Sequence, residues 1–284
     1  MTESVLTFSG NNLIGILSLP NRVDPSRPVV LIPNTGIEHR VGPNRLHVRL
    51  ARAFADSGIV AARVDLSGLG DSPAISGSSS VPDLQEAMTE LGRRGFGNRF
   101  VAVGLCSGAH DAHQLALADH RVVGAAFLDG YAYSTPQFYL TYLLERLTDP
   151  ARLLRFLRGL LQRHRHEDSI DVSALDYVRR PRRADMRRDL ATFMERGLAL
   201  SFVYTGQLQY VYNYADQLLD AFPDLCDYTN LELHHLTWAD HTFSTEQMSD
   251  ALISRLVDWL QKSCSNPPVR SYAEIPVGNT AIAA

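Results

Sequence analysis

The chain has 284 residues, is 45% apolar and 20% charged, and carries a net charge of −4 at pH 7. That balance is ordinary for a globular protein and excludes a disordered, collagenous or low-complexity scaffold. The negative sum gives nucleic acid no global attraction, and no apolar run approaches the roughly 20 residues of a membrane span, so neither is an expected partner. Three cysteines (Cys106, Cys226, Cys264) are too few and too scattered for a disulfide framework or a zinc site. The opening MTESVLTFSG has no basic stretch before an apolar core, so a cytoplasmic protein is expected. Charge is uneven: residues 145–196 hold 13 Arg against 9 Asp plus Glu. A solvated helical face accounts for such a bias; a patch for a phosphate-bearing or acidic partner is the functional alternative.

Short β-rich runs alternate with amphipathic helical stretches, which predicts an α/β fold with a mostly parallel central sheet flanked by helices. Residues 5–8 and 13–19 read as an opening antiparallel pair with Gly10-Asn11 in the turn. A buried strand over 29–32 ends at Pro33-Asn34-Thr35-Gly36. The helix after it repeats Leu46, Leu50 and Phe54 every four residues and stops at Gly58. A strand over 59–64 leads into Asp65-Leu66-Ser67-Gly68-Leu69-Gly70-Asp71-Ser72. A helix around 83–94 precedes a strand over 100–104, which runs into Leu105-Cys106-Ser107-Gly108 and another helix. A strand over 122–128 ends at Asp129-Gly130. There the alternation breaks, and 131–197 reads as a mostly helical block rich in Leu, Arg and Tyr. It resumes with a strand over 198–204, a loop and helix to Phe222, a strand over 231–236, and His241. Ser244, with Gln247 three residues on, makes a capping-box pair for a last helix whose apolar face holds Ala251, Leu252, Leu256 and Trp259. The core is therefore expected over 1–130 and 198–264, with 131–197 inserted in it and 265–284 as a flexible tail.

The sharpest local signal is Gly104-Leu105-Cys106-Ser107-Gly108 between a strand and a helix. A nucleophile there stands on a tight turn, small neighbours let strand and helix approach, and the helix dipole favours a thiolate. The competing reading is a small core cysteine in a Gly-rich turn. Ser107 is off the apex, and its backbone N–H is a natural oxyanion donor. His241 follows the last strand, where a loop can carry an imidazole over the carboxyl ends of the central strands. His234 and His235 lie within a strand and read as packing or surface residues. His110 and His113, on the helix after the turn, are read as structural.

Together these motifs resemble the α/β-hydrolase superfamily from about Val5 to Trp259. The resemblance implies that 131–197 is a lid over the pocket. It also implies that Pro33-Asn34-Thr35-Gly36 is the oxyanion segment, with Thr35 or Gly36 giving the second N–H. The stretch from Gly36 to Arg45 resembles a bacterial branch with a polar loop here, in which His39 and Arg40 face the site or hold the loop. One departure stands out. Most members carry an Asp after the strand that follows the lid, but here that turn reads Gly206-Gln207-Leu208-Gln209, and the nearest carboxylates are Asp216 and Asp220. Some members place the acid after the strand following the nucleophile, which here is Asp129. That position reaches the His ring N–H, although a turn-capping Asp is the plainer alternative.

A cysteine nucleophile has chemical consequences. Sulfur attack on an oxyester exchanges a stable ester for a less stable thioester, whereas attack on a thioester is nearly balanced. An acyl thioester, on an acyl carrier protein or CoA, is thus the expected substrate. The acyl group would pass to water, an alcohol, an amine or a carbanion of the same chain. The pattern is similar to bacterial Dieckmann cyclases, and to polyhydroxyalkanoate synthases and dienelactone hydrolase. Tyr131, Tyr133, Phe138, Tyr142 and the Leu-rich stretch 153–161 are candidates to line an apolar channel, or pack the lid. No metal or organic cofactor is expected. Two rivals remain: a hydrolase of small esters or lactones, and a non-catalytic binding protein on the same fold.

Overall fold

Four-residue runs with no polar member, such as Val29–Ile32, can only be buried on both faces, and this is what parallel strands under two helix layers require. In the computed structural model, which describes residues 1–10, 12–147 and 180–265, eight strands form one sheet: β1 (Thr2–Phe8), β2 (Leu13–Leu19), β3 (Val29–Ile32), β4 (Ala61–Val64), β5 (Phe100–Leu105), β6 (Val122–Leu128), β7 (Ala199–Thr205) and β8 (Leu231–Leu236). Their spatial order is β1-β2-β4-β3-β5-β6-β7-β8. β1 pairs antiparallel with β2, and β2 with β4; every later pairing is parallel.

The α-helices among the described residues are α1 (Leu46–Asp56), α2 (Ser80–Arg93), α3 (Ser107–Ala118), α4 (Pro136–Leu147), α5 (Arg183–Glu195), α6 (Gln217–Ala221) and α7 (Glu246–Ser265). Leu46, Leu50 and Phe54 of α1 and Leu252, Leu256, Trp259 and Leu260 of α7 bury one face of the sheet. Leu84 and Met88 of α2, Ala112 and Leu115 of α3, and Met186, Leu190 and Phe193 of α5 bury the other. Each large side chain so removed from water contributes about 1.5–3 kcal/mol. The parallel strands place the loops after β3, β5, β6, β7 and β8 at one edge, and in such sheets ligands bind at the carboxyl ends.

One helix start differs from the sequence expectation. α7 is capped by Thr245, whose Oγ1 accepts the Met248 N–H at 3.3 Å, and not by Ser244. The reason is Asp240, whose carboxylate accepts both the N–H and the hydroxyl of Ser244 and takes that residue out of the cap. No described helix is long and apolar enough to cross a membrane. Several sequence expectations lie outside the described residues: the centre of the 131–197 insertion (148–179) with its Leu-rich 153–161 stretch and 6 of the 13 Arg, the tail 266–284, and Asn11 of the first turn.

Candidate active site

Cys106 sits at φ 56° and ψ −115° between β5 and α3. A side chain in that region costs on the order of 1–3 kcal/mol and persists only where the surroundings over-determine it. Here the Cys106 N–H donates to Leu128 O at 2.9 Å and its carbonyl accepts the Ala109 N–H at 3.0 Å. The flanking glycines are obligatory. A Cβ on Gly104 would lie 1.9 Å from Gly108 O, and one on Gly108 would lie 2.7 Å from Asn34 O. Strand, helix and the loop after β3 therefore touch backbone to backbone, and the thiol stands exposed at the apex.

Asp129, the residue after β6, is also held at positive φ (47°). Its side chain is fully buried and saturated. Oδ1 accepts the Thr205 N–H at 2.7 Å, while Oδ2 accepts the Thr205 hydroxyl at 2.7 Å and the His241 Nδ1–H at 2.8 Å. The same imidazole is also the hydrogen-bond partner of the Cys106 thiol. The structure thus brings Cys106, His241 and Asp129 into one row. The bond to Asp129, then that to Cys106, raises the His241 imidazolium to about 10. The same imidazole lowers the Cys106 thiol from its ordinary value, overcoming partial burial. Both directions favour a thiolate–imidazolium pair. Asp216 is elsewhere, preceding α6.

The His241 loop is clamped from three sides. Gln207, in the turn that lacks a carboxylate, accepts the His241 N–H at 2.7 Å. Asp240 accepts the N–H and hydroxyl of Thr242, each at 2.9 Å. Asn44 donates its amide to Thr242 O at 3.2 Å. Gln207 and Asn44 do not stand out in sequence, because each acts through one long-range contact.

The loop after β3 is equally fixed. Asn34, buried, donates to Glu38 O and Asp65 Oδ1, both at 2.8 Å, and accepts the Leu66 N–H at 2.8 Å. Thr35 Oγ1 meets His47 Nε2 at 3.1 Å. The Gly36 N–H donates to Ser107 Oγ at 2.6 Å, tying this loop to the apex. His39, Asp65 and Asp71 form the one cluster of metal-ligand type among the described residues. The Arg40 guanidinium already pairs with Asp65 and with Asp71 (2.8 Å), so the cluster binds its own cation. His39 and Arg40 thereby join the loops after β3 and β4.

The candidate lining residues divide. Tyr131 is half-buried with its hydroxyl on His110 Nδ1. Tyr133 is buried, donates to Pro181 O at 3.0 Å and packs edge-on to Phe222. Phe138 is buried, whereas Tyr142 is exposed. His113 is buried, 2.9 Å from Asp189 Oδ2 and against Phe127, Tyr131 and Phe193. His235 packs on Tyr212, and His234 faces Glu232. Large exposed apolar side chains follow four of the strand ends: Ile37 (78% exposed) after β3, the Tyr139–Leu144 face of α4 after β6, Tyr210 (57%) after β7 and Trp238 (46%) after β8. Sequence reasoning named Tyr142 of this rim and missed Ile37, Tyr210 and Trp238, because single apolar residues in loops carry no period.

No protein-family model matches the chain, and no curated protein matches it. Solved structures do. An esterase from Pyrococcus furiosus superposes with a TM-score of 0.60 at 13% identity, over 92% of this chain and 90% of that one. A proline iminopeptidase from Mycobacterium smegmatis gives 0.55 at 14%, over 92% and 99%. An alpha-beta serine hydrolase homologue from Coxiella burnetii gives 0.54 at 13%, over 90% and 96%. At such identities the likeness is one of fold.

Proposed function

We propose that this chain, which has the α/β-hydrolase fold, is an acyl-transfer enzyme in which Cys106 is the nucleophile, His241 carries the proton and Asp129 orients the ring. Because the fold hosts many chemistries, the reaction is argued from the site. The observation that carries the reading is the row of thiol, imidazole and buried carboxylate at the apex of a positive-φ turn.

The thiolate attacks the carbonyl carbon of an acyl thioester. A sulfur–carbon bond forms and the carbonyl π pair moves onto oxygen, which faces the Ser107 N–H and one N–H from Thr35 or Gly36. Collapse returns that pair and breaks the bond to the substrate's sulfur, which leaves with the proton held by His241. The acyl group on Cys106 then passes to water deprotonated by the neutral imidazole, which is hydrolysis, or to a carbanion of the same chain, which is Dieckmann-type cyclisation. A thioester suits a sulfur nucleophile because the exchange is nearly balanced. The rim of Ile37, Tyr142, Tyr210 and Trp238, backed by Tyr131, Tyr133 and Phe138, supports a large apolar acyl group. Its carrier would be CoA or an acyl carrier protein.

The experiment is intact-protein mass after mixing with a panel of acyl thioesters, for wild type and Cys106→Ala. The expected result is a mass gain on wild type alone, with the released product separating hydrolysis from cyclisation. A folded wild type with neither adduct nor thioester consumption overturns the reading. Turnover of oxyesters alone would move it to a small-ester hydrolase.

A further inference from the structure

Of the two backbone N–H groups of the loop after β3 named as second oxyanion donor, that of Gly36 meets an obstacle in the geometry. The Gly36 N–H is not free: it donates to Ser107 Oγ at 2.6 Å, across 71 residues of chain. A hydroxyl has one proton and two lone pairs. With one lone pair taken by Gly36, the Ser107 proton remains, and it has no acceptor among the described residues. The residue's own N–H meanwhile lies against the Cys106 sulfur, so Ser107 links the nucleophile to the loop after β3.

We propose that the Ser107 hydroxyl is a catalytic residue, donating its proton to the oxyanion of the tetrahedral intermediate while Gly36 holds and polarises its oxygen. The inference rests on Cys106 being the nucleophile and deepens that reading. Negative charge builds on the carbonyl oxygen when the sulfur–carbon bond forms. The Ser107 N–H and O–H then meet that oxygen from one residue, and the chain from Gly36 N–H through Oγ–H strengthens the second bond cooperatively. No proton is transferred in this step; the hydroxyl keeps its hydrogen, and the electron pair returns to carbon on collapse.

The alternative use of the same contact is a plug. In that case the hydroxyl occupies the oxyanion's place and must leave before Gly36 can donate. Ser107→Ala separates the two, since it removes the hydroxyl and releases the Gly36 N–H. The probe is a straight-chain aldehyde such as octanal, whose hemithioacetal with a thiol places its oxygen where the oxyanion forms. Alongside it, iodoacetamide alkylates Cys106 without generating an oxyanion.

The expected result is aldehyde affinity about 10- to 100-fold weaker in Ser107→Ala, as for the loss of one such donor, with an unchanged alkylation rate. Ser107→Thr, which keeps a hydroxyl, restores most of the affinity. On any thioester that wild type turns over, kcat falls by a similar factor with KM little changed. Affinity in Ser107→Ala equal to or tighter than wild type overturns the proposal in favour of the plug. Absence of aldehyde and iodoacetamide adducts at Cys106 in wild type itself defeats the nucleophile reading, a separate outcome.

Discussion

Replacing Asp129 by Asn keeps the side chain's size and removes its charge. The carboxylate takes three hydrogen bonds, two from Thr205 and one from His241 Nδ1, and it is the foremost cause of His241 being raised to about 10. An opposite charge at this range is worth about 1–3 pKa units, or about 1–4 kcal/mol at 1.36 kcal/mol per unit. The His241 side chain is 27% exposed, so solvent screening favours the lower part of that range, about one to two units. The sign follows from the pair. An imidazolium without its carboxylate binds its proton less tightly, so His241 loses its proton at lower pH, whereas the thiol is not raised, because the Asp129 charge itself opposes the thiolate. The assay is the rate of iodoacetamide alkylation at Cys106 between pH 5 and 10, read by mass, with Cys106→Ala as the blank for the other cysteines. The upper inflection, where His241 loses its proton and the thiolate–imidazolium pair becomes a free thiolate, should fall by about one to two units in Asp129→Asn and stay at the wild-type pH in Asp216→Asn. An unmoved inflection in Asp129→Asn, or an equal shift in Asp216→Asn, refutes the reasoning.

Gly104→Ala and Gly36→Ala should differ sharply. The first drives a Cβ to 1.9 Å from Gly108 O and should abolish soluble folded protein, whereas the second, at φ 56° with open space, costs about 1 kcal/mol and a few degrees in a thermal melt. Arg40→Ala leaves the fully buried Asp65 carboxylate without its cation, and should destabilise by about 3–5 kcal/mol in urea unfolding; Asp65→Asn on that background should recover part of it. His47 is buried and held down to about 4 by desolvation, then by Arg63. Its folded pKa lies below the unfolded value, so this contribution is intact above pH 6.5 and is lost as pH falls through 4. Between pH 7.5 and 4.5 the loss from this residue is about 2–3 kcal/mol. His47→Gln should show a correspondingly smaller drop in its urea midpoint over that interval, and an identical drop would contradict the assignment.

The order of strands and helices was legible because it rests on local periodicity. The unbroken apolar runs of β3 and β5, and the four-residue spacing of Leu46, Leu50 and Phe54, need no partner to be recognised. The turn around Cys106 was legible for the same reason, since Gly104 answers a clash with Gly108 O within five residues of chain, whereas the clash that Gly108 answers, with Asn34 O, is long-range. The choice of Ser244 as a cap failed because a competing acceptor, Asp240, reaches it after the chain turns.

The candidate site itself is a matter of long-range meetings. Asp129 and His241 lie 112 residues apart, Asp129 and Thr205 76, and Gly36 and Ser107 71. Sequence alone could name an Asp at a strand's end and a late His, and leave Asp216 as a rival. It could not tell that Thr205 would hold the carboxylate, that Gln207 would clamp the His241 loop, or that Arg40 would neutralise Asp65. Residue type and local spacing set which elements form, because backbone hydrogen bonds and burial act over a few residues. Which side chains share a hydrogen bond was decided only when the parallel sheet brought the loops after β3, β5, β6, β7 and β8 to one edge, where contacts depend on register rather than on neighbours in the chain.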